Sequence, residues 1–301
     1  MELMHHFTLA APDFLASNET VARMWRDAIP KLAFSDEYGC AMHGILAVAA
    51  LHLAFLEPEN RSMRLITATA HYDQAVRIIS VMISNLCKDN CETLFISSSL
   101  IVVFATASPL LPGNSGHQNE PWSLPEWIPL IRGVHTILKQ VWNWVETGRL
   151  GAMLGFRFYD GPDRLAEEMK KIFGNLYRLC TDTSEPDPEE IRDTDISSTY
   201  FTAIHELQKS FSNSIDAGTS MVSLMFLWPV SMSDKFVTLL KEKRPRALII
   251  FAHYCALLKR IESHWWVDGR AEYELVRIER SIEELDKWKK WLVWPTQMVR
   301  G

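Results

Sequence analysis

An all-α protein is predicted by three features of the sequence. Apolar residues recur three and four positions apart along most of the chain, and no stretch alternates apolar and polar long enough to make a convincing strand. Breaks containing proline and glycine divide the periodic stretches into helix-length pieces. With 301 residues, 48% hydrophobic and 23% charged, the chain has ordinary globular composition and enough apolar material for a large core.

The elements follow in order. Ala10 to Ala33 places Leu15, Val21, Met24, Trp25 and Ile29 at helical spacing, with Ser17 as a plausible N-cap. Tyr38 to Leu56 is nearly all apolar and predicts a helix buried on most sides, stopped by Glu57-Pro58-Glu59-Asn60. Arg61 to Leu86 reads as a long amphipathic helix with Ala70, Ala75, Ile78, Ile79, Met82 and Ile83 inward. Asn90 opens a helix to Ala107. The apolar run Leu94–Leu111 approaches a membrane span in length, but five Ser/Thr residues interrupt it and Pro109 ends it, so a core helix is expected and no membrane span.

Pro112-Gly113-Asn114-Ser115-Gly116 reads as a loop, followed by a helix from Leu124 to Trp144, and glycines at 148, 151, 155 and 161 break up what comes next. Further helices are expected over Asp163–Cys180, Ile196–Ser214, Ser220–Trp228, Asp234–Lys243, Pro245–His264 and Arg270–Leu292. The acidic stretch Ser184–Asp195, with Pro186 and Pro188, is expected as a surface loop too short to separate domains. A single domain over 1–301 is therefore predicted.

Several functional classes are disfavoured. A net charge of −6 argues against direct nucleic-acid contact, which draws most of its affinity from phosphate neutralisation by basic residues. The five cysteines, Cys40, Cys87, Cys91, Cys180 and Cys255, are scattered and form no CxxC pair, so neither a zinc-thiolate site nor a disulfide framework is expected. That usage and the absence of a signal-peptide pattern at the N-terminus predict an intracellular protein, cytoplasmic or nuclear and not secreted. Gly-x-Gly-x-x-Gly, phosphate-binding loop, Gly-x-Ser-x-Gly, His-Glu-x-x-His and Asp-Asp-x-x-Asp signatures are all missing. No cofactor and no metal is expected.

The last third carries a run of distinctive segments: Phe226-Leu227-Trp228-Pro229, Phe236–Leu240, Arg244-Pro245-Arg246 leading into Ile249–Leu258, Trp265-Trp266, and finally Trp288, Trp291 and Trp294-Pro295. Glu2–Phe7, Ala47–Leu56 and Trp127–Val134 follow the same pattern nearer the start. Together they resemble, end to end and in order, the C-terminal regulatory domain of fungal zinc-cluster transcription factors of the sterol-uptake-control type. The resemblance implies a helical domain enclosing a hydrophobic ligand such as a sterol, terpenoid or polyketide. It departs from the family in one respect: the six-cysteine cluster, basic linker and coiled coil that begin such proteins have no counterpart here. The expectation is a regulatory-type domain without its own DNA-binding part, working in a longer chain, through a protein partner or a second copy, or as a stand-alone sensor.

Eleven tryptophans suit either a helical core or the lining of a flat apolar pocket. The candidate ligand-binding residues are Trp127, Arg132, Trp228, His253, Tyr254, Trp265 and Trp266. His253, Tyr254 and His52 lie in apolar helices and must find hydrogen bonds, from a ligand or from a neighbouring helix. Arg132 suits a carboxylate, and His5-His6 reads as a packed N-terminal element. An alternative is a cofactor-independent enzyme of fungal secondary metabolism, a pericyclase, cyclase or isomerase. Its cavity would hold one reactive conformer, with His253, Tyr254 or Arg132 polarising a carbonyl.

Overall fold

The computed structural model describes residues 1–111, 122–154, 164–215, 221–282 and 285–301, the side chains of 221–223 and 285 excepted. The expected loop at 112–116 and glycines 155 and 161 lie outside the described residues. Among the described residues there is helix and no strand. Contacts cluster into two compact units, one formed by 1–115, 126–156 and 264–266, the other by 116–125, 157–263 and 267–301.

The first unit is built around α4 (Cys40–Leu56), which packs on α1 (Glu2–Leu15), α3 (Ile29–Ser35), α5 (Arg61–Met82) and α6 (Cys91–Ala107). Being apolar all round, α4 can satisfy its surface only by burial on several sides. It forms an antiparallel hairpin with α5: Cys40 Sγ faces the Ala75 carbonyl at 3.8 Å, His43 faces His71, and Arg61 Nε donates to the Ala54 carbonyl at 3.0 Å. Gly44 sits where α4 meets α6, and a Cβ there would come 3.2 Å from Leu100 Cδ1. The close approach of α4 and α6 thus depends on a missing side chain.

The long apolar stretch is buried core. The helix over Cys91–Leu110 is long and apolar enough for a span by composition, yet 78% of its apolar window lies inside the protein. Two of its buried hydroxyls are satisfied within the helix: Ser97 and Thr106 each donate to the carbonyl one turn earlier, at 2.7 Å. On it lies α7 (Trp127–Glu146), whose buried residues Trp127, Ile131, Val134, Ile137, Val141 and Val145 recur at the expected spacing.

Two expectations here are corrected. The first helix begins at Glu2 rather than Ala10 and ends at Leu15. The chain restarts at α2 (Glu19–Arg23), whose cap is Asn18, accepting from Val21 N at 3.1 Å, and not Ser17. A π-helical stretch, Met24–Ala28, then leads into α3. On α5, Ala75 and Met82 are buried, but Ala70 and Ile83 are exposed. This helix packs along one side only, and its apolar residues outnumber the positions that side provides.

In the second unit the central element is α13 (Pro245–Lys259), buried from Arg246 to Leu258. Around it lie α10 (Thr194–Asn213), α11 (Met221–Ser231), α12 (Asp234–Lys241), α14 (Arg270–Ser281) and α15 (Leu285–Arg300). α8 (Glu167–Arg178) packs against α10. The single helix expected over Arg270–Leu292 is two, because Ile282 turns to extended backbone at ψ 107°.

The acidic stretch Ser184–Asp195 is the largest correction. It contains the short helix α9 (Pro188–Arg192), and Glu185 and Glu190 are buried. Arg246 explains it: with its side chain fully buried, it donates to the carbonyls of Leu179, Pro186 and Asp187 at 2.9, 2.6 and 2.9 Å and to Glu190 Oε2 at 2.7 Å. Trp288 covers the guanidinium at 5.2 Å, and Tyr200 donates to the other Glu190 oxygen at 2.7 Å. Asp187 adopts φ 52°, a left-handed conformation that aspartate, with its short polar side chain, takes more readily than most residues. A segment that looks solvated in sequence is held to the core by one arginine fifty to sixty residues away.

Candidate functional site

A cavity of about 280 Å³ opens in the second unit. One wall is α8, through Ile172, Asn175, Leu176 and Arg178. A second is α15, through Lys290, Trp291 and Trp294. His253 on α13 and Glu185 complete the lining. The charges are organised. Glu185 accepts from Lys290 Nζ at 2.7 Å and from Trp291 Nε1 at 3.1 Å, and Arg178 bonds Asp182 at 3.2 Å.

His253 is the group left with capacity. Its Nδ1 lies 2.9 Å from the Ile249 carbonyl. A carbonyl oxygen only accepts, so Nδ1 carries the proton and Nε2 carries a lone pair. Nε2 has no partner among the described residues. Trp294 stacks on the ring at 5.3 Å and 21°. Burial depresses the His253 pKa to about 4, so the ring is neutral at physiological pH. The cavity therefore presents a hydrogen-bond acceptor beside two indole rings, which suits an uncharged ligand carrying an O–H or N–H group.

The depressed pKa has a consequence for stability. Between pH 6.5 and about 4 the unfolded chain binds a proton at His253 and the folded chain does not. Stability therefore falls as pH is lowered through that window and levels off below it, by roughly 3 kcal/mol for a ring so fully buried. His52, also held at about 4 by burial, adds a contribution of the same sign. Urea midpoints measured from pH 7 to pH 4 should drop steeply in the wild type and less in His253→Gln. Identical slopes would contradict the assignment.

The other sequence candidates lie elsewhere. In the second unit, Trp228 donates to the Ala203 carbonyl at 2.8 Å and Tyr254 to the Met225 carbonyl at 2.7 Å, both within the core and outside this cavity. The remaining four, Trp127, Arg132, Trp265 and Trp266, belong to the first unit. Trp127 is buried on α7 and Arg132 is half-buried on it. Trp266 donates to the Phe14 carbonyl at 3.2 Å. Trp265 stacks on His52 at 4.7 Å and 15°, and His52 in turn meets His6 at 3.1 Å. His52 thus finds its partner on a neighbouring helix. His253 instead finds one on its own helix, a turn earlier.

Of the cavity residues, sequence reasoning placed only His253 in the site; it missed the α8 wall, Glu185, and Lys290, Trp291 and Trp294 on α15. The Trp291, Trp294 spacing was a usable signal, since positions three apart share one side of a helix. Glu185 gave none, because it sits in a stretch with the composition of a solvated loop. The five cysteines are unpaired thiols, four of them buried, and no group of three or more metal-ligating side chains occurs among the described residues.

Residues 2–143, which contain most of the first unit, match the family model described as the fungal specific transcription factor domain. That segment is similar to the fungal specific transcription factor domain. The second unit lies beyond the match, and its kinship is carried by whole-chain relatives. A Zn(2)-C6 fungal-type transcription factor of Gibberella zeae is 26% identical over 99% of this chain and 61% of its own length. Sterol uptake control protein 2 of Candida albicans is 24% identical over 93% of this chain and 40% of its own. The Saccharomyces cerevisiae protein of the same name is 24% identical over 89% of this chain and 29% of its own. The chain thus spans between 29% and 61% of the length of these curated relatives, and the likeness to zinc-cluster regulators runs through both units.

Proposed function

We propose that this chain is the effector-sensing part of a fungal transcriptional regulator, acting inside the cell and in the nucleus. The observation that carries the reading is similarity to a Zn(2)-C6 transcription factor over 99% of the chain. Control of transcription is exerted through a DNA-binding part or a protein partner, since a net charge of −6 and the absence of a cysteine cluster leave the chain ill-suited to grip DNA.

The effector is a flat, uncharged, mostly apolar molecule with one hydroxyl. Support comes from the neutral His253 Nε2, the Trp291 and Trp294 rings, and the volume of about 280 Å³. That volume suits a small ring system or the hydroxyl-bearing end of a larger one. Two relatives are named for sterol uptake control, and a sterol has this chemistry.

Titration of the protein with a fluorescent sterol tests the reading. Saturable binding is expected, with His253→Gln or Trp294→Ala weakening it about tenfold, the worth of one hydrogen bond or one ring contact. Absence of saturation, or affinity unchanged in both variants, would refute a sterol-type ligand at this cavity.

A further inference from the structure

The α4–α5 hairpin brings two imidazoles together in a way that neither the fold nor the cavity requires. His43 on α4 and His71 on α5 lie opposite one another, and their Nδ1 atoms approach to 2.9 Å. The rings are tilted at 43° with centroids 5.1 Å apart. Both are half-buried, at an interface that remains open to water. Neither ring has another hydrogen-bond partner among the described residues. Two nitrogens aimed at one point can share a proton, or can share a cation in its place.

We propose that His43 and His71 form a binding site for a divalent nitrogen-preferring metal, zinc(II) in the first instance, bridging α4 and α5. Imidazole nitrogens bind zinc at about 2.0–2.1 Å, so tetrahedral coordination asks for roughly 3.3 Å between the two donors. The donors need to part by about 0.4 Å and both rings to turn so that their lone pairs converge on the metal, a movement of two side chains alone. Water supplies the remaining coordination positions, as half-exposed rings allow. The donor set excludes the oxygen-preferring cations calcium and magnesium and admits copper(II) and nickel(II) as competitors, copper binding more tightly than zinc. The second histidine pair in this unit, His6 and His52 at 3.1 Å, is a poorer site. His52 is stacked on Trp265 and capped by the edge of Phe14 at 4.9 Å, which leaves little room for water ligands.

The test is calorimetric titration of the chelator-treated full chain with zinc sulfate. One equivalent is expected to bind, the event being lost in His43→Ala and in His71→Ala and kept in His6→Ala, with far-UV circular dichroism confirming that each variant is folded. Because a variant can misfold, the wild type is also loaded with one equivalent of copper(II) and examined by electron paramagnetic resonance, where coupling to two imidazole nitrogens is expected. No stoichiometric binding, binding that survives both substitutions, loss in His6→Ala alone, or an oxygen-only copper signal would each overturn the proposal.

Discussion

Replacing Arg246 with alanine should cost about 3–5 kcal/mol, among the largest single-residue losses available in the chain. The side chain is fully buried and makes four hydrogen bonds: two to backbone carbonyls of the Glu185–Arg192 segment, one to the Glu190 carboxylate, and one to the Leu179 carbonyl at the end of α8. Removal leaves the Glu190 carboxylate buried with, among the described residues, only the Tyr200 hydroxyl, and leaves the carbonyls of Leu179, Pro186 and Asp187 without this donor. An unpaired buried charge is worse than none, so adding Glu190→Gln to Arg246→Ala should recover part of the loss. Arg300 is the control. It pairs with both Glu272 and Glu279 but is 38% exposed, and Arg300→Ala should cost no more than about 1 kcal/mol. Urea unfolding of the three variants reads the difference. Equal midpoints for Arg246→Ala and Arg300→Ala would show that the Glu185–Arg192 segment is not held by this network.

Trp228→Ala is expected to be comparably severe, at about 3–5 kcal/mol. Trp228 is fully buried, with ring centroids 4.8 Å from Tyr254, 5.7 Å from Phe236 and 6.0 Å from Phe251. Truncation opens a void between α10, α11, α12 and α13 and removes the donor to the Ala203 carbonyl. Pro229, inside α11, limits how far the backbone can move to close it. Trp142 is 41% exposed, and Trp142→Ala should stay within about 0.5 kcal/mol of the wild type. Thermal unfolding separates the two, and a Trp228 variant no less stable than the Trp142 variant would remove this tryptophan from the core.

The helices that are legible in sequence are those whose burial is decided by composition or by a clean 3.6-residue period. α4, α6 and α13 are too apolar to sit anywhere but inside, and α7 carries a well-formed stripe. What is not legible depends on partners distant in sequence. Nothing around Glu190 announces that Arg246 will bury it, and nothing in Glu185 announces Lys290 and Trp291. The break at Ile282 lies in a stretch whose periodicity continues across it.

The candidate site shows the same division. His253 could be singled out, because a histidine in an apolar helix has few ways to be satisfied. Which of its nitrogens would be used could not, because that depends on whether the Ile249 carbonyl or a neighbouring helix supplies the partner. The tryptophans were visible as a group, but individual roles differ by helix face: Trp228 fills core, Trp288 covers Arg246, and Trp294 stacks on His253. The His43–His71 pair needed the register of the α4–α5 hairpin, which a 28-residue separation does not reveal.

The proposed role in transcriptional control is tested most directly by measuring transcripts and metabolites together in a strain lacking the gene. Transcripts of a set of genes are expected to change as a block, with the associated products following. Steady transcripts with one intermediate or shunt product accumulating would contradict that role, and would make the protein a catalyst whose kinship with regulators is ancestry alone.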